Sequence, residues 1–373
     1  VIRCDVAIVG GGPAGLSVAI AAAARGLRAV VLERGALPVD KACGEGLLPL
    51  GVAALERAGA LSLVDPRACA KLTGIRYVQE DGSTAEGRLP APGGLGIRRT
   101  ALSEALARRA VALGAVLRAS CPALAHRRVG GRMEITTPEG LVSAGLLVAA
   151  DGLTSRVRRI ERLEAEAPSA ARSSAVSSAP RFGLRRHFDL PPWSSFVEVH
   201  LTEGAEAYVT PVGADQVGVA MLWRGDGGAS PRYDELLARF PRLVAQLRGA
   251  APTSRLRGAG PFARSARVRV ADRLVLVGDA AGYVDAVTGE GLSLALRCAE
   301  ALGEILPAAL ASGATREALS PYEEAFQHIF RKYALVTHGL LQLAARPWLR
   351  RPAVRWLGRN PGIFEAVLRQ VVA

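Results

Sequence analysis

The chain has 373 residues, half of them hydrophobic and 22% charged. That composition excludes a disordered or fibrous protein and is large enough for more than one lobe around a packed interior. The formal net charge is +13, carried almost wholly by arginine, since only Lys41, Lys71 and Lys332 among the 47 basic residues are lysines.

In chain order, residues 5–9 predict a short apolar strand that runs into Gly10-Gly11-Gly12-Pro13-Ala14-Gly15. The Ala-rich run 16–25 predicts a helix stopped by Gly26, and 28–32 predicts a second strand ending at Glu33 and Arg34. This is a complete β-α-β unit. A loop over 38–49 carries Lys41-Ala42-Cys43-Gly44-Glu45-Gly46, and a helix is predicted over 50–59. Residues 72–79 and 83–89 read as a hairpin around Asp81-Gly82. A helix over 100–113 puts Leu102, Leu106, Ala110 and Leu113 on one stripe, and short alternating strands follow over 115–149. The Ala, Ser, Glu and Pro-rich stretch 161–180 reads as a connector. Strands are predicted at 182–188, 196–201, 205–212 and 216–223, then a helix over 232–248 and a strand over 267–277. The rest is helical from about Gly291, with breaks at Pro307, Pro321, Pro347, Pro352 and Pro361.

Three glycine-acid motifs carry chemistry. In Gly10-x-Gly12-x-x-Gly15 the first glycine allows the tight turn. The second admits a pyrophosphate and the third lets helix and strand pack closely. Glu33 stands at the distance from Gly10 where an acid accepts hydrogen bonds from a ribose. The second motif is Asp151-Gly152-Leu153-Thr154-Ser155-Arg156 after an apolar strand. The third is Gly278-Asp279-Ala280-Ala281-Gly282 followed by Thr288-Gly289-Glu290-Gly291, where a helix start offers free N–H groups to an anion. The five cysteines form no C-x-x-C pair and the five histidines no ligand spacing, so no metal site is expected.

Taken in this order, the motifs resemble those of FAD-dependent oxidoreductases of the p-hydroxybenzoate hydroxylase fold. The stretch Asp40–Gly46 looks closest to the C-G loop of the geranylgeranyl-reductase-like branch. No G-W-x-W-x-I-P segment of the halogenase kind occurs. The resemblance implies an α/β fold, with a Rossmann-like FAD-binding domain, an inserted antiparallel β-sheet substrate domain and C-terminal helices. The boundaries expected are 1–71, 95–180 and 262–330 for the FAD lobe, 72–94 and 181–261 for the substrate lobe, and 331–373 for the helical segment. It implies FAD contacts from Gly10, Gly12, Pro13, Ala14, Gly15, Glu33, Arg34, Arg99, Asp151, Gly152, Gly278, Asp279, Gly289, Glu290 and Gly291. Lys41, Cys43, Gly44, Glu45 and Gly46 are placed against the flavin ring, at the reacting end of a substrate pocket. Cys43 reads as a small apolar filler, a substrate contact or a reactive thiol. Glu45 and Glu290 read as acid-base groups or as loop and helix-end carboxylates.

No second dinucleotide motif occurs, so either NAD(P)H is expected to visit the flavin transiently or electrons come from another protein. The leading expectation is a single-component monooxygenase that uses NAD(P)H and O2 on a hydrophobic small molecule. The alternative is reduction of an isoprenoid or other C=C bond, and a third reading is a membrane- or nucleic-acid-associated protein with a relic FAD fold. The pocket is expected to draw on Phe182, Phe188, Trp193, Phe196, Tyr208 and Trp223, with Leu340, Leu341, Leu343, Trp348 and Trp356 from the C-terminal helices. His187 and His200 read as satisfied core or surface histidines. Residues 331–373 hold eight basic residues and one acid, Glu365. A solvated surface is the simpler reading of that charge, peripheral membrane contact the other, and no nucleic-acid partner is expected. No apolar run is long enough for a transmembrane helix and residues 4–9 lead to no cleavage site, so a cytoplasmic protein is expected.

Overall fold

A computed structural model describes residues 1–165, 179–225 and 231–372. The connector expected over 161–180 falls largely outside these residues. The chain begins β1 (Ile2–Val9), α1 (Pro13–Ala23), β2 (Ala29–Leu32), β3 (Gly46–Leu47) and α2 (Pro49–Arg57). It continues through β4 (Cys69–Leu72), β5 (Gly74–Val78), β6 (Thr84–Arg88), β7 (Gly94–Ile97) and α3 (Arg99–Ala112). Next come β8 (Val116–Arg118), β9 (Ala125–Val129), β10 (Arg132–Thr137), β11 (Gly140–Ala149) and α4 (Arg156–Ile160). A second strand-rich stretch holds β12 (Arg181–Asp189), β13 (Phe196–Thr202), β14 (Ala205–Pro211) and β15 (Gln216–Arg224), then α5 (Tyr233–Leu237) and α6 (Pro241–Leu247). After β16 (Arg257–Ala259), β17 (Arg264–Ser265), β18 (Val270–Ala271), β19 (Leu274–Leu276) and β20 (Gly282–Tyr283), the helices α7 (Gly291–Ala311), α8 (Arg316–Ala344), α9 (Pro347–Arg359) and α10 (Pro361–Val372) follow.

The first sheet has the order β18-β19-β11-β1-β2-β8, with β10 and β9 added beside β11. Its core is parallel, and the register aligns Val9 with Leu32, Val9 with Ala149, and Ala149 with Leu276. The carboxyl ends of four strands therefore stand in one row, and each motif leaves from it. A parallel sheet is covered on both faces, which explains why α1 is apolar all round. It is buried between the sheet and α7, and a Cβ on Gly303 of α7 would come within 2.7 Å of Ala21. Gly26, at φ +74°, lets the chain turn back after α1.

The second sheet runs β16-β12-β15-β14-β13-β5-β6. Both of its faces are apolar. One packs on α5 and α6 through Phe188, Met221, Trp223, Tyr233, Leu236 and Phe240. The other packs with Val354, Phe364 and Leu368 of α9 and α10 through Val199, Leu201, Tyr208 and Leu222. A small three-stranded sheet, β3-β7-β4, joins the two. It is so close to the second sheet that a Cβ on Gly96 would stand 1.8 Å from the Pro211 carbonyl oxygen.

Three sequence expectations change. The helix predicted over 232–248 is two helices, because Pro241 starts a new one after Phe240 leaves the helical conformation. The strand predicted over 267–277 is a tight antiparallel pair, β18 and β19, turned at Asp272-Arg273. Pro307, Pro321 and Pro352 do not break their helices but lie inside α7, α8 and α9. Buried neighbours such as Leu306, Ala309, Leu319 and Val354 hold those helices through the lost backbone bond. Among the described residues no helix is long and apolar enough to cross a membrane.

Candidate active site

The row of strand ends opens into a cavity of about 500 Å³. Gly12, Pro13 and Ala14 bring the N-terminus of α1 to it, with no side chain capping the helix. The glycines differ in what they answer to. A Cβ on Gly15 would lie 1.9 Å from the Gly10 carbonyl oxygen, and one on Gly10 2.3 Å from that of Ala150, so both serve packing. A Cβ on Gly12 would meet only the Arg99 guanidinium, at 3.8 Å, so this position faces open space. Glu33 stands behind the turn, its carboxylate accepting from the Gly11 N–H at 2.6 Å and the Gly35 N–H at 2.9 Å. Arg34, Arg99, Asp151, Gly152 and Asp279 line the same groove. Gly289, at φ +69°, exposes the uncapped start of α7 to it.

Unsatisfied polar groups mark where a ligand belongs. The Arg99 Nε, Asp151 Oδ1 and Thr288 Oγ1 atoms are buried without a hydrogen-bond partner. Burial raises the pKa of Asp279, against the opposing pull of Lys41 and Arg99. Burial lowers that of Lys41, and the Arg99 charge lowers it further. Lys41 keeps solvent contact through the mouth of the groove although protein surrounds most of it. Two uncapped helix starts, two arginines and carboxylates near the strand ends are the donor set that a pyrophosphate with a polyol chain needs. The residues present fit the FAD that the resemblance implies. Gly10, Gly15, Glu33, Gly278 and Glu290 stand behind the lining rather than on it. Burial pushes the Glu290 carboxyl up to about 7.

The loop 40–46 crosses the cavity between the groove and the second sheet, pinned at both ends. Arg185, 1% exposed on β12, donates to Asp40 and to the Lys41 carbonyl at 3.0 Å, and Arg257 donates to Asp40 at 2.9 Å. Glu45 takes the left-handed conformation, φ +59°, and is buried. Its Oε1 accepts from the Arg99 N–H at 2.8 Å, which fixes the start of α3. Its Oε2 lies 2.5 Å from His187 Nε2. The other ring nitrogen, Nδ1, faces Arg185 Nη1 at 3.1 Å and Ser254 Oγ at 2.8 Å. Guanidinium only donates, so Nδ1 accepts and the ring proton is on Nε2, donated to Glu45. Burial also lowers the pKa of His187, keeping it neutral. Thr210 donates to the Gly44 carbonyl at 2.7 Å and completes the clasp. Cys43 accepts from the Glu45 N–H at 3.3 Å, and burial raises its pKa, which holds the sulfur as a thiol.

Beyond the loop the cavity is apolar. Ile75, Tyr77, Val197, Val199, Tyr208, Ala220, Leu222 and Phe262 line it from the second sheet and its flank. The charged groups of the lining (Arg34, Lys41, Glu45, Arg99, Asp151, Arg185 and Asp279) come instead from the groove, the loop and its clasp. Tyr208 donates to the Val287 carbonyl at 3.1 Å. Beneath it a buried Arg181 pairs with Glu206 at 2.6 Å and with Asp285 at 2.8 Å, so β12, β14 and the segment before Gly289 move as one.

Of the aromatic residues expected at the pocket, only Tyr208 lines it. Phe182, Phe188, Trp193 and Trp223 belong to the cluster on the other face of the sheet. Phe196 packs over the position of Gly74 and under Arg76. The C-terminal residues Leu340, Leu341, Leu343, Trp348 and Trp356 do not reach it. Ile75, Tyr77, Val197, Val199, Ala220, Leu222 and Phe262 are among the lining residues that sequence reading missed. His200 is buried on β13, 3.2 Å from Glu198, away from the cavity.

The profile of the FAD binding domain family matches residues 3–334. Digeranylgeranylglycerophospholipid reductase of Methanothrix thermoacetophila is 28% identical over 350 residues, spanning 89% of this chain and 85% of that protein. Menaquinone reductase of Mycolicibacterium smegmatis is 27% identical over 369 residues, spanning 92% and 85%. Halogenase PltM, solved with phloroglucinol and FAD, has the same fold, with a TM-score of 0.77 at 16% identity over 99% of this chain and 85% of that one.

Proposed function

The chain belongs to the FAD binding domain family and is an FAD-dependent oxidoreductase, and from that premise we propose that it reduces a C=C bond of an isoprenoid chain. The observation that carries the reading is the apolar arm of the cavity. Its lining offers a substrate hydrocarbon contact and neutral phenols, with the charged groups held on the cofactor side. Burial raises the pKa of Tyr77 to about 12 and those of Tyr208 and Tyr283 well above the ordinary phenol value, so all three keep their protons. A flexible polyene gains most from such a wall, at roughly 25 cal/mol per Å² of apolar surface buried. Both curated relatives are named as reductases, and one name contains digeranylgeranyl, an isoprenoid chain.

Bound FAD supplies hydride transfer to a carbon. The residues around it do the rest. The α1 N-terminus, Arg34 and Arg99 neutralise anionic oxygens. The Glu45–His187 and Asp40–Arg185 pairs hold the loop 40–46 rigid between cofactor and substrate. Saturating a double bond also consumes a proton, and Tyr208 Oη is the proton-bearing atom that the wall fixes beside the segment 286–289. NAD(P)H is the electron source in this reading, visiting the groove transiently.

The test is a pair of incubations, anaerobic and in air, of the FAD-loaded protein with NAD(P)H or dithionite and a geranylgeranyl lipid. The reductase reading expects a product heavier by two hydrogens without O2. Product formed only in air, and heavier by one oxygen, would replace it with the monooxygenase reading.

A further inference from the structure

The helices that cover the second sheet are anchored on one side and bare on the other. α9 lies along β6, the edge strand of that sheet, and covers it. Arg350 is 1% exposed and ties the helix down. It donates to Gln79 Oε1 at 3.2 Å, to the Thr202 carbonyl at 3.2 Å and to both oxygens of Glu80 at 2.9 and 3.0 Å. A Cβ on Gly358 would stand 2.2 Å from the Thr84 carbonyl oxygen, so helix and strand backbones touch. Val354 faces inward with Phe364 of α10, whose ring lies 5.8 Å from that of Tyr77 on the cavity wall.

The outward face of the same helix carries Trp348, Leu349, Pro352 and Trp356 together with Arg351, Arg355 and Arg359. At 100° per residue these seven positions fall within a sector of about 160°. Trp348 is 74% exposed and Trp356 52%. Leu335 of α8 and Ile363 and Val367 of α10 are further exposed apolar side chains on the two helices that contact α9. Tryptophan is rarely left so bare on a soluble surface, and two on one rigid helix face mark an interaction site. The three charged residues of that face are arginines, two of them paired with carboxylates at its base. Glu80 and Asp81 lie at its base, paired to Arg350, Arg351 and Arg355.

We propose that this face of α9 docks on an anionic bilayer surface. Tryptophan places its amphipathic ring at the headgroup level, and arginine meets lipid phosphate. A helix of 13 residues with one wet and one anchored face lies in the interface plane rather than crossing it. Charge complementarity selects this occupant. A second copy of the chain would bring arginine against arginine, and a nucleic acid would leave the apolar side chains of three helices in water. The proposal rests on these surface residues alone and holds for any reaction in the cavity.

The test uses the full, FAD-loaded chain and vesicles of phosphatidylcholine, with or without about one third phosphatidylglycerol. The chain should float with the anionic vesicles at low salt, its tryptophan emission shifting to the blue, and come off as salt rises. The double variant Trp348→Ala, Trp356→Ala should partition about tenfold less or weaker still, with unchanged circular dichroism and flavin absorbance. Three results would overturn the proposal: no flotation of the wild type, undiminished flotation of the double variant, or a self-association that the double variant loses while vesicles bind neither protein. Turnover of a detergent-dispersed substrate is read in parallel, so failure of docking and failure of the reductase reading are told apart.

Discussion

Gly12 and Gly15 look alike in the motif and do different work. A valine at 15 collides with the Gly10 carbonyl and should prevent stable folding, because backbone cannot yield as a flexible side chain can. A valine at 12 meets only the end of Arg99, so the protein should fold with an unchanged melting temperature and bind no flavin, as read by visible absorbance. The His187–Glu45 pair has a signature in pH. Burial holds the folded imidazole below its ordinary value of 6.5. The unfolded chain therefore binds more protons than the folded one as pH falls through that value, and stability falls with it. The melting temperature should drop below about pH 6.5, and more steeply in the wild type than in His187→Gln. The separate residues of this pair were singled out, Glu45 as an acid-base group or a loop or helix-end carboxylate and His187 as a satisfied core or surface histidine. Their union was not, because 142 positions separate them and only the parallel course of loop and sheet brings them to one point.

Elements that announce themselves by local chemistry were legible at once. The β-α-β unit, the hairpin at Asp81-Gly82 and the four strands between 181 and 224 stand where alternation and glycine place them. What strand periodicity could not say is which face of the second sheet meets the cavity. In β15 the seven residues Val217–Trp223 are all buried, so no polar side breaks the symmetry between the faces. In β15 the bulky Met221 and Trp223 went to the face packed on α5 and α6, and Ala220 and Leu222 were left to shape the cavity. Prolines misled for a related reason: a long helix with buried neighbours on both sides of the proline outlasts one missing hydrogen bond. At this scale the seat of α9 can be tested through Gly358. A Gly358→Val substitution drives a side chain into the Thr84 carbonyl and should cost about 1–3 kcal/mol, measured by urea unfolding, while leaving the flavin spectrum unchanged.

The whole molecule divides its labour between two sheets, with one loop at the seam. The first sheet gathers the cofactor residues at its strand ends, and the second shapes the space beside them. Filling that space should therefore separate the two tasks. Ala220 stands on the cavity wall opposite Tyr208 in the β14–β15 register. An Ala220→Phe protein should keep full FAD content while turnover of long isoprenoid substrates falls about tenfold or more, and a shorter chain should lose less. The strand order of the first sheet carries a further consequence for how the protein is made. Gly10 leaves the ribosome long before Asp279 and Gly289, which follow it by 269 and 279 positions. The strand β19, which leads into Asp279, is made after every strand of the second sheet and pairs with β11 from the first half. Until then a nascent chain has the groove residues of the first two motifs but not those of the third. Cut between residues 158 and 270, the protein should give two fragments that regain full flavin absorbance only when mixed, so the colour reports that the two halves of the groove have met.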